Sequence, residues 1–245
     1  MPNGKTEAWY VLNARPDATV SVGLTRTLSE RELREATING TIAHLLARKA
    51  ISKGDVILVP GGTIHSIGAG LVIAEIQQRS DATFRLFDFG RQRELHVEHA
   101  IAVANAGPVE TQVPPRCLTD ERVVLVACAH FVLERIELRA GSTWRLGAYV
   151  ETWLIVIDGG GRAGPFDIAK GDAIFAQSDR VDILVGATGM SCLVAYASSS
   201  ASPDLLQSVT GPTEKRTRQS SRAPTHHIVG RRGMKTQGNL QVKAE

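Results

Sequence analysis

The sequence predicts an all-β fold: a duplicated jelly-roll β-barrel with a short helical insertion. Three observations carry that expectation. Short apolar strands broken by Gly and Pro recur at close spacing, as in "DVILVP", "LVIAEIQ", "ETWLIVIDGGG" and "VDILVG". The stretch "KGDVILVPGG", Lys53 to Gly62, returns as "KGDAIFAQSD", Lys170 to Asp179, each with Lys-Gly-Asp, an apolar strand and a turn. Substantial helical patterning is confined to one insertion, residues 28–50.

Taken in order, "EAWYVLNARPDATVSVGL" (Glu7 to Leu24) is rich in β-branched and aromatic residues and turns at Arg15-Pro16-Asp17, which predicts two strands. Ser29 and Glu32 have capping-box spacing, Leu28 and Leu33 stand where a hydrophobic staple would clamp the entry, and Asn39-Gly40 stops the helix. "TIAHLLARK" predicts a second short helix with Ile42, Leu45 and Leu46 on one face, so the helical segment spans 29–48. His44 on that helix reads as a surface residue. Strands resume from Ala50 to Val103 and again from Arg122 to Ala197. The Pro- and Gly-bearing "NAGPVETQVPPR" between them reads as the join, giving barrels over 1–107 and 108–198. From Ser199 the sequence turns polar, basic and Pro-containing. Such composition buries too little apolar area to offset ordering, so 199–245 is expected to be a disordered basic tail.

With 43% hydrophobic and 22% charged residues over 245 positions, the composition is that of a globular protein with a real core. Cys117, Cys128 and Cys192 are scattered and lack C-x-x-C spacing, which argues against a disulfide framework or a thiolate zinc knuckle. No apolar run approaches the ~20 residues that span a bilayer, and "MPNGKTEAWY" has no signal-peptide pattern. A cytoplasmic protein with no membrane partner is the expectation. The net charge of +3 is uneven, with +5 in residues 199–245 and −2 in the rest. The body is slightly acidic, so nucleic acid is not an expected partner.

Gly54, Pro60, Gly62 and His65 have the spacing G-x5-P-x-G-x2-H, which resembles the second motif of the cupin barrels. Gly54 allows a tight strand entry, Pro60 and Gly62 turn the chain, and the next strand carries His65 inward to a barrel mouth that can hold a metal. The second copy has no histidine at the matching place, so the first barrel is expected to keep a metal site and the second to be metal-free.

Together "GKTEAWYVL", "GDVILVPGGTIHSIG", "AEIQQRSDATFRLFDFGR" and "RELHVEHAI" resemble the type I mannose-6-phosphate isomerases, over about residues 4–197. That resemblance implies a cupin architecture, one zinc ion, and interconversion of mannose 6-phosphate and fructose 6-phosphate. It makes Glu7 and His65 zinc ligands and places Lys5 along the active site. In "EIQQRSDATFR" it marks Glu75, Asp81 and Arg85 as catalytic positions, with Arg85 and Lys5 meeting the substrate. An aldose–ketose isomerisation moves a hydrogen between C1 and C2 through an enediol, so it needs a base and stabilisation of an oxyanion. Zinc would polarise the sugar oxygens, and a cation such as Arg85 or Lys5 would meet the phosphate or the enediolate.

Each residue taken singly also has a plainer reading. Glu7 could be a strand glutamate at the surface, Lys5 a solvated terminal cation, Glu75 the partner of a lysine and Asp81 a turn cap. Arg85 could lie over apolar strands, and His96 and His99 could serve structure. The family also draws two zinc ligands from a Q-x-H strand upstream of "GKTE", which has no counterpart in the three residues before Gly4. The resemblance therefore implies an N-terminally truncated member with an incomplete zinc site and weakened activity. A non-catalytic cupin that binds a phosphosugar, or a structural remnant, is the alternative.

Overall fold

A computed structural model describes residues 4–110 and 114–209, together with the backbone of 227–228 and 240–242. The chain divides into two compact units, residues 1–113 with 234–245, and residues 114–233. The division falls inside "NAGPVETQVPPR".

The first unit runs β1 (Glu7–Ala14), β2 (Thr19–Leu24), α1 (Glu30–Ile38), α2 (Ile42–Leu45), β3 (Leu46–Ala50), β4 (Val56–Val59), β5 (Ile64–Ile67), β6 (Leu71–Gln77), β7 (Phe84–Phe87) and α3 (Val97–Val103). β1 lies between β4 and β6 in one antiparallel sheet, and β2 lies between β3 and β5 in a second. Trp9, Val11, Val20, Val22, Ile57 and Val59 form one apolar cluster. Strand alternation turns Ile64 and Leu86 to the other face of the second sheet, and the irregularity of β2 between Ser21 and Leu24 brings Leu24 there too. These join Leu33, Ile42 and Ile101 of the helical segments. Helix α1 begins as its sequence predicts: the Ser29 amide donates to Glu32 Oε2 at 2.8 Å, and the Glu32 amide donates to Ser29 Oγ at 3.3 Å. Leu28 and Leu33 are both buried at that entry.

Two helical expectations need correction. The helical segment ends at Leu45, and Leu46–Ala50 is a strand that pairs with β2. Ile42 and Leu45 of the expected helix face lie in α2, and Leu46 begins the strand, which its pairing with β2 holds extended. The second correction is α3, whose Ala100 and Ile101 are buried in the same cluster as α1. Helical structure is therefore not confined to the insertion.

The second unit contains β8 (Arg116–Cys117), β9 (Arg122–Ala127), β10 (Val132–Leu138), β11 (Thr143–Ala148), β12 (Thr152–Ala163), β13 (Phe166–Ala169), β14 (Ala173–Ala176), β15 (Asp179–Tyr196), β16 (Leu206–Ser208) and β17 (His227–Ile228). They form one ten-stranded sheet around a continuous apolar cluster. β15 pairs with β11 through residues 179–184 and with β10 through 190–196.

The duplication is visible bond by bond. Gly54 and Gly171 have φ of 91° and 93°, the left-handed region where glycine carries no Cβ penalty. The Asp55 carboxylate accepts from the Ser52 amide and that of Asp172 from the Ala169 amide, both at 2.9 Å. The Gly54 amide donates to the Val11 carbonyl, and the Gly171 amide to the Val156 carbonyl. β1 and β12 are both bulged at those valines, between Val11 and Asn13 and between Val156 and Asp158. Mostly strand and built twice, the fold is a duplicated cupin.

The chain stays in the fold past Ser198. Leu205 and Leu206 are buried, β16 pairs with β11, and the Arg122 guanidinium donates to the Ser202 and Pro203 carbonyls. These two leucines supply apolar area that the polar composition around them conceals. Of the expected disordered tail, 210–226, 229–239 and 243–245 lie outside the described residues. The last strand, β18 (Leu240–Val242), pairs with β5 on one edge and β7 on the other, making the second sheet of the first unit five-stranded.

Candidate active site

Four of the candidate residues, Lys5, Glu7, His65 and Glu75, gather around Trp9 in the first unit. Glu7 and Trp9 are two apart on β1 and so share its inner face. Both are fully buried, and Trp9 Nε1 donates to Glu7 Oε2 at 2.9 Å. His65, 3% exposed, meets Trp9 edge-on at 5.4 Å between ring centroids. Glu75 lies opposite Trp9 in the β1–β6 ladder, which puts it on the same face. Lys5 Nζ approaches Glu7 Oε1 to 3.8 Å. The plainer reading of Glu7 as a surface glutamate and of Lys5 as a freely solvated cation does not survive this geometry.

The electrostatics follow from the burial. Desolvation pushes the His65 imidazole down to about 4; its bond to the Thr63 carbonyl opposes that shift and the nearby Lys5 charge adds to it. At neutral pH His65 is thus uncharged. A carbonyl can only accept, so the 2.8 Å contact with Thr63 O puts the proton on Nδ1 and leaves Nε2 as the lone-pair nitrogen. Desolvation also raises the Glu75 pKa, against the lowering effect of Lys5. One cation, one buried carboxyl, one neutral imidazole and one carboxyl of raised pKa thus surround Trp9.

Arg85 is on β7. Leu86 and Ile64 face the helix side of their sheet, so alternation places Arg85 and His65 on the opposite side, with Val22. The Arg85 side chain is held from the loop that follows β7. Nη1 donates to the Glu94 carbonyl at 2.7 Å, and Nε stands 4.0 Å from Asp88 Oδ1. Asp88 was not singled out by the motif. It is 4% exposed and is gripped by Arg93 and approached by Arg91, which hold its carboxyl below the usual carboxylate range. The "FDFGRQR" run around it carried the signal: an acid two residues from a glycine turn, with two arginines just beyond. His96 also belongs to this support, accepting the Arg85 amide on Nδ1 at 3.1 Å, while His99 stacks on Phe84. Asp81 sits exposed on the loop between β6 and β7, where Ser80 Oγ accepts the Ala82 amide.

Glu7 and His65 are suited to two positions on a metal ion. Catalytic zinc takes three protein ligands and an open position. Among the described residues no group of three His, Cys, Asp or Glu side chains could hold a metal. The described residues thus fall short of a zinc site.

The curated relatives of the chain are mannose-6-phosphate isomerases. That of Streptococcus mutans is 37% identical over 143 residues, 55% of this chain and 45% of its own length. ManA of Bacillus subtilis is 33% identical over 153 residues, 57% of this chain and 47% of its own. The probable enzyme GmuF of Bacillus subtilis is 31% identical over 170 residues, covering 65% and 53%. The chain thus spans about half the length of the relatives it matches. No protein-family profile matches it. Among solved structures, the Bacillus subtilis mannose 6-phosphate isomerase superposes with a TM-score of 0.68 at 25% identity, over 78% of this chain and 64% of that one. A putative mannosephosphate isomerase from Archaeoglobus fulgidus, with a TM-score of 0.61 at 17% identity over 79% and 61% of the two chains, shares the fold. The resemblance read from the motifs is therefore shown by sequence relatives and by fold.

Proposed function

We propose that the first barrel carries the active site of a mannose-6-phosphate isomerase, interconverting mannose 6-phosphate and fructose 6-phosphate. The observation that supports this best is the convergence of Lys5, Glu7, His65 and Glu75 around Trp9, with Arg85 on the same side of the second sheet as His65. Glu75 is the proton carrier in this reading: a carboxyl with a raised pKa can take the proton from C2 of the aldose and return it to C1 of the enediol. Lys5 and Arg85 supply positive charge for the enediolate oxygen and the phosphate. Asp81 is the remaining catalytic candidate, on the loop joining the strands of Glu75 and Arg85, and no step is assigned to it. Glu7 and His65 would furnish two ligands of a zinc ion. Because the described residues do not complete its sphere, no step is routed through it. A cytoplasmic location goes with this reading, supported by the phosphorylated hexose as substrate and by the three free thiols.

Incubating the purified chain with mannose 6-phosphate tests this, with fructose 6-phosphate measured by a coupled assay and metal by mass spectrometry. Turnover that His65→Ala abolishes supports the proposal. The two-donor cluster favours a second reading, a cupin that binds a phosphosugar without converting it. Calorimetric binding of mannose 6-phosphate with no product would select that reading.

A further inference from the structure

The two units fill one position of their sheets from different parts of the chain. In the second unit, β15 lies between β12 and β11. β11 comes from just upstream, only three residues before β12. In the first unit, β5 lies between β2 and β18. The strands correspond by register, because Val20 pairs with Ile67 as Ala163 pairs with Ile183. The place that a local strand takes in the second unit is thus taken in the first by residues 240–242, and Gln241 is in register with both His65 and Arg85.

We propose that the gap between β5 and β7 is a strand-acceptor site that completes the second sheet of the first unit, and that residues 240–242 of the same chain are its occupant. Among the described residues β18 is the strand partner of β7, so the hydrogen bonds that tie the strand of Arg85 to the strand of His65 run through this segment. Without an occupant, β5 and β7 would each present a row of unpaired amides and carbonyls, the usual template for β-augmentation. The occupant must be extended and offer main-chain groups on both edges. At about 4.8 Å per strand step, it spaces the β5 and β7 backbones roughly 10 Å apart. This proposal does not depend on the isomerase reading, since it concerns backbone pairing alone.

Hydrogen exchange on the full chain tests it. In the wild type, amides of residues 240–242 should exchange at least tenfold more slowly than an unstructured peptide; exchange at the unstructured rate overturns the proposal. Successive residues of a strand bond to opposite neighbours, so Gln241→Pro with Val242→Pro should cut a bond on each edge. The double variant should lose at least tenfold protection at Ile64–Ile67 and Phe84–Phe87, while β10 and β15 of the second unit keep theirs. A labelled peptide of residues 236–245 should bind this variant and not the wild type. Unchanged protection at β5 and β7 in the variant, or peptide binding to neither protein, overturns the proposal. A wild-type dimer whose β7 protection rises with concentration would put a second copy's segment in the slot and overturn the assignment to the same chain.

Discussion

The first barrel puts Glu7, Trp9, Glu75 and His65 where the second puts Thr152, Leu154, Val194 and Val181. The correspondence follows from pairing. Glu7 meets Val59 and Gln77 as Thr152 meets Ala176 and Tyr196, and Trp9 meets Ile57 and Glu75 as Leu154 meets Ile174 and Val194. Val181 stands two residues before Ile183, as His65 stands two before Ile67. One backbone plan therefore hosts two interiors. The second closes around an apolar cluster, while the first keeps polar groups where burial works against their charge. Polar groups in such places cost stability unless paired, so their presence in one copy and not the other points to a site.

The second unit does bury charge, but as a structural joint. Arg122 and Glu134 are 3% and 0% exposed and form a bidentate pair at 2.9 and 2.8 Å. The Tyr196 hydroxyl donates to Glu134 Oε1 at 2.6 Å, and burial with that bond raises the phenol pKa. Tyr196 OH also accepts the Ser202 amide, and Arg122 takes the next two carbonyls. Every partner fixes the segment that carries Leu205 into the core. Polar groups in the second barrel hold chain to chain; those in the first gather around Trp9, with Glu7 and His65 buried beside it.

The sharpest way to break the comparison is to install the second barrel's residues in the first. Glu7→Thr with His65→Val should reduce isomerase turnover to background, while circular dichroism keeps the β spectrum. Retained turnover would remove Glu7 and His65 from the active site. Next in size, Glu134→Ala should cost about 3–5 kcal/mol in denaturant unfolding, because it leaves the Arg122 charge buried without its partner. A loss below about 1 kcal/mol would show that the joint carries little of the second unit's stability.

Arg85→Ala should lower kcat/KM by tenfold or more, about 1.4 kcal/mol of transition-state stabilisation, while the unfolding midpoint moves much less than in Glu134→Ala. Unchanged kinetics would leave Arg85 as a tie between β7 and its loop. The smallest effect belongs to the helical insertion, which has no counterpart among the described residues of the second unit, where β12 turns directly into β13. Bonds from the Ser29 backbone and side chain, then Arg26, lower the Glu32 pKa from 4.5 to about 2. The folded value lies below the unfolded one, so this contribution is present above about 4.5 and fades as pH falls toward 2. Amide exchange in α1 should accelerate over that window in the wild type, and already at neutral pH in Ser29→Ala. A flat pH profile would mean that the capping box does not anchor the insertion.

Much of this was legible in the sequence because local chemistry decides it. Gly54 and Gly171 fix the same left-handed turn, Ser29 and Glu32 close a capping box across one helical turn, and alternation brings Glu7 and Trp9 to one face. The spacing from Gly54 to His65 carries the histidine onto β5, opposite Val22. What the sequence could not decide depended on partners distant along the chain. Leu46–Ala50 carries helix-compatible residues, yet β2 made it a strand. Asp88 became the anchor for Arg85 and Arg93 only once β7 and its loop had folded, and Leu205 found its place through Arg122, some 80 residues earlier. The strand between β5 and β7 is the extreme case, drawn from residues 240–242. Turns and caps are settled within four residues, whereas sheet edges are satisfied by whatever backbone reaches them, and local sequence does not specify that choice.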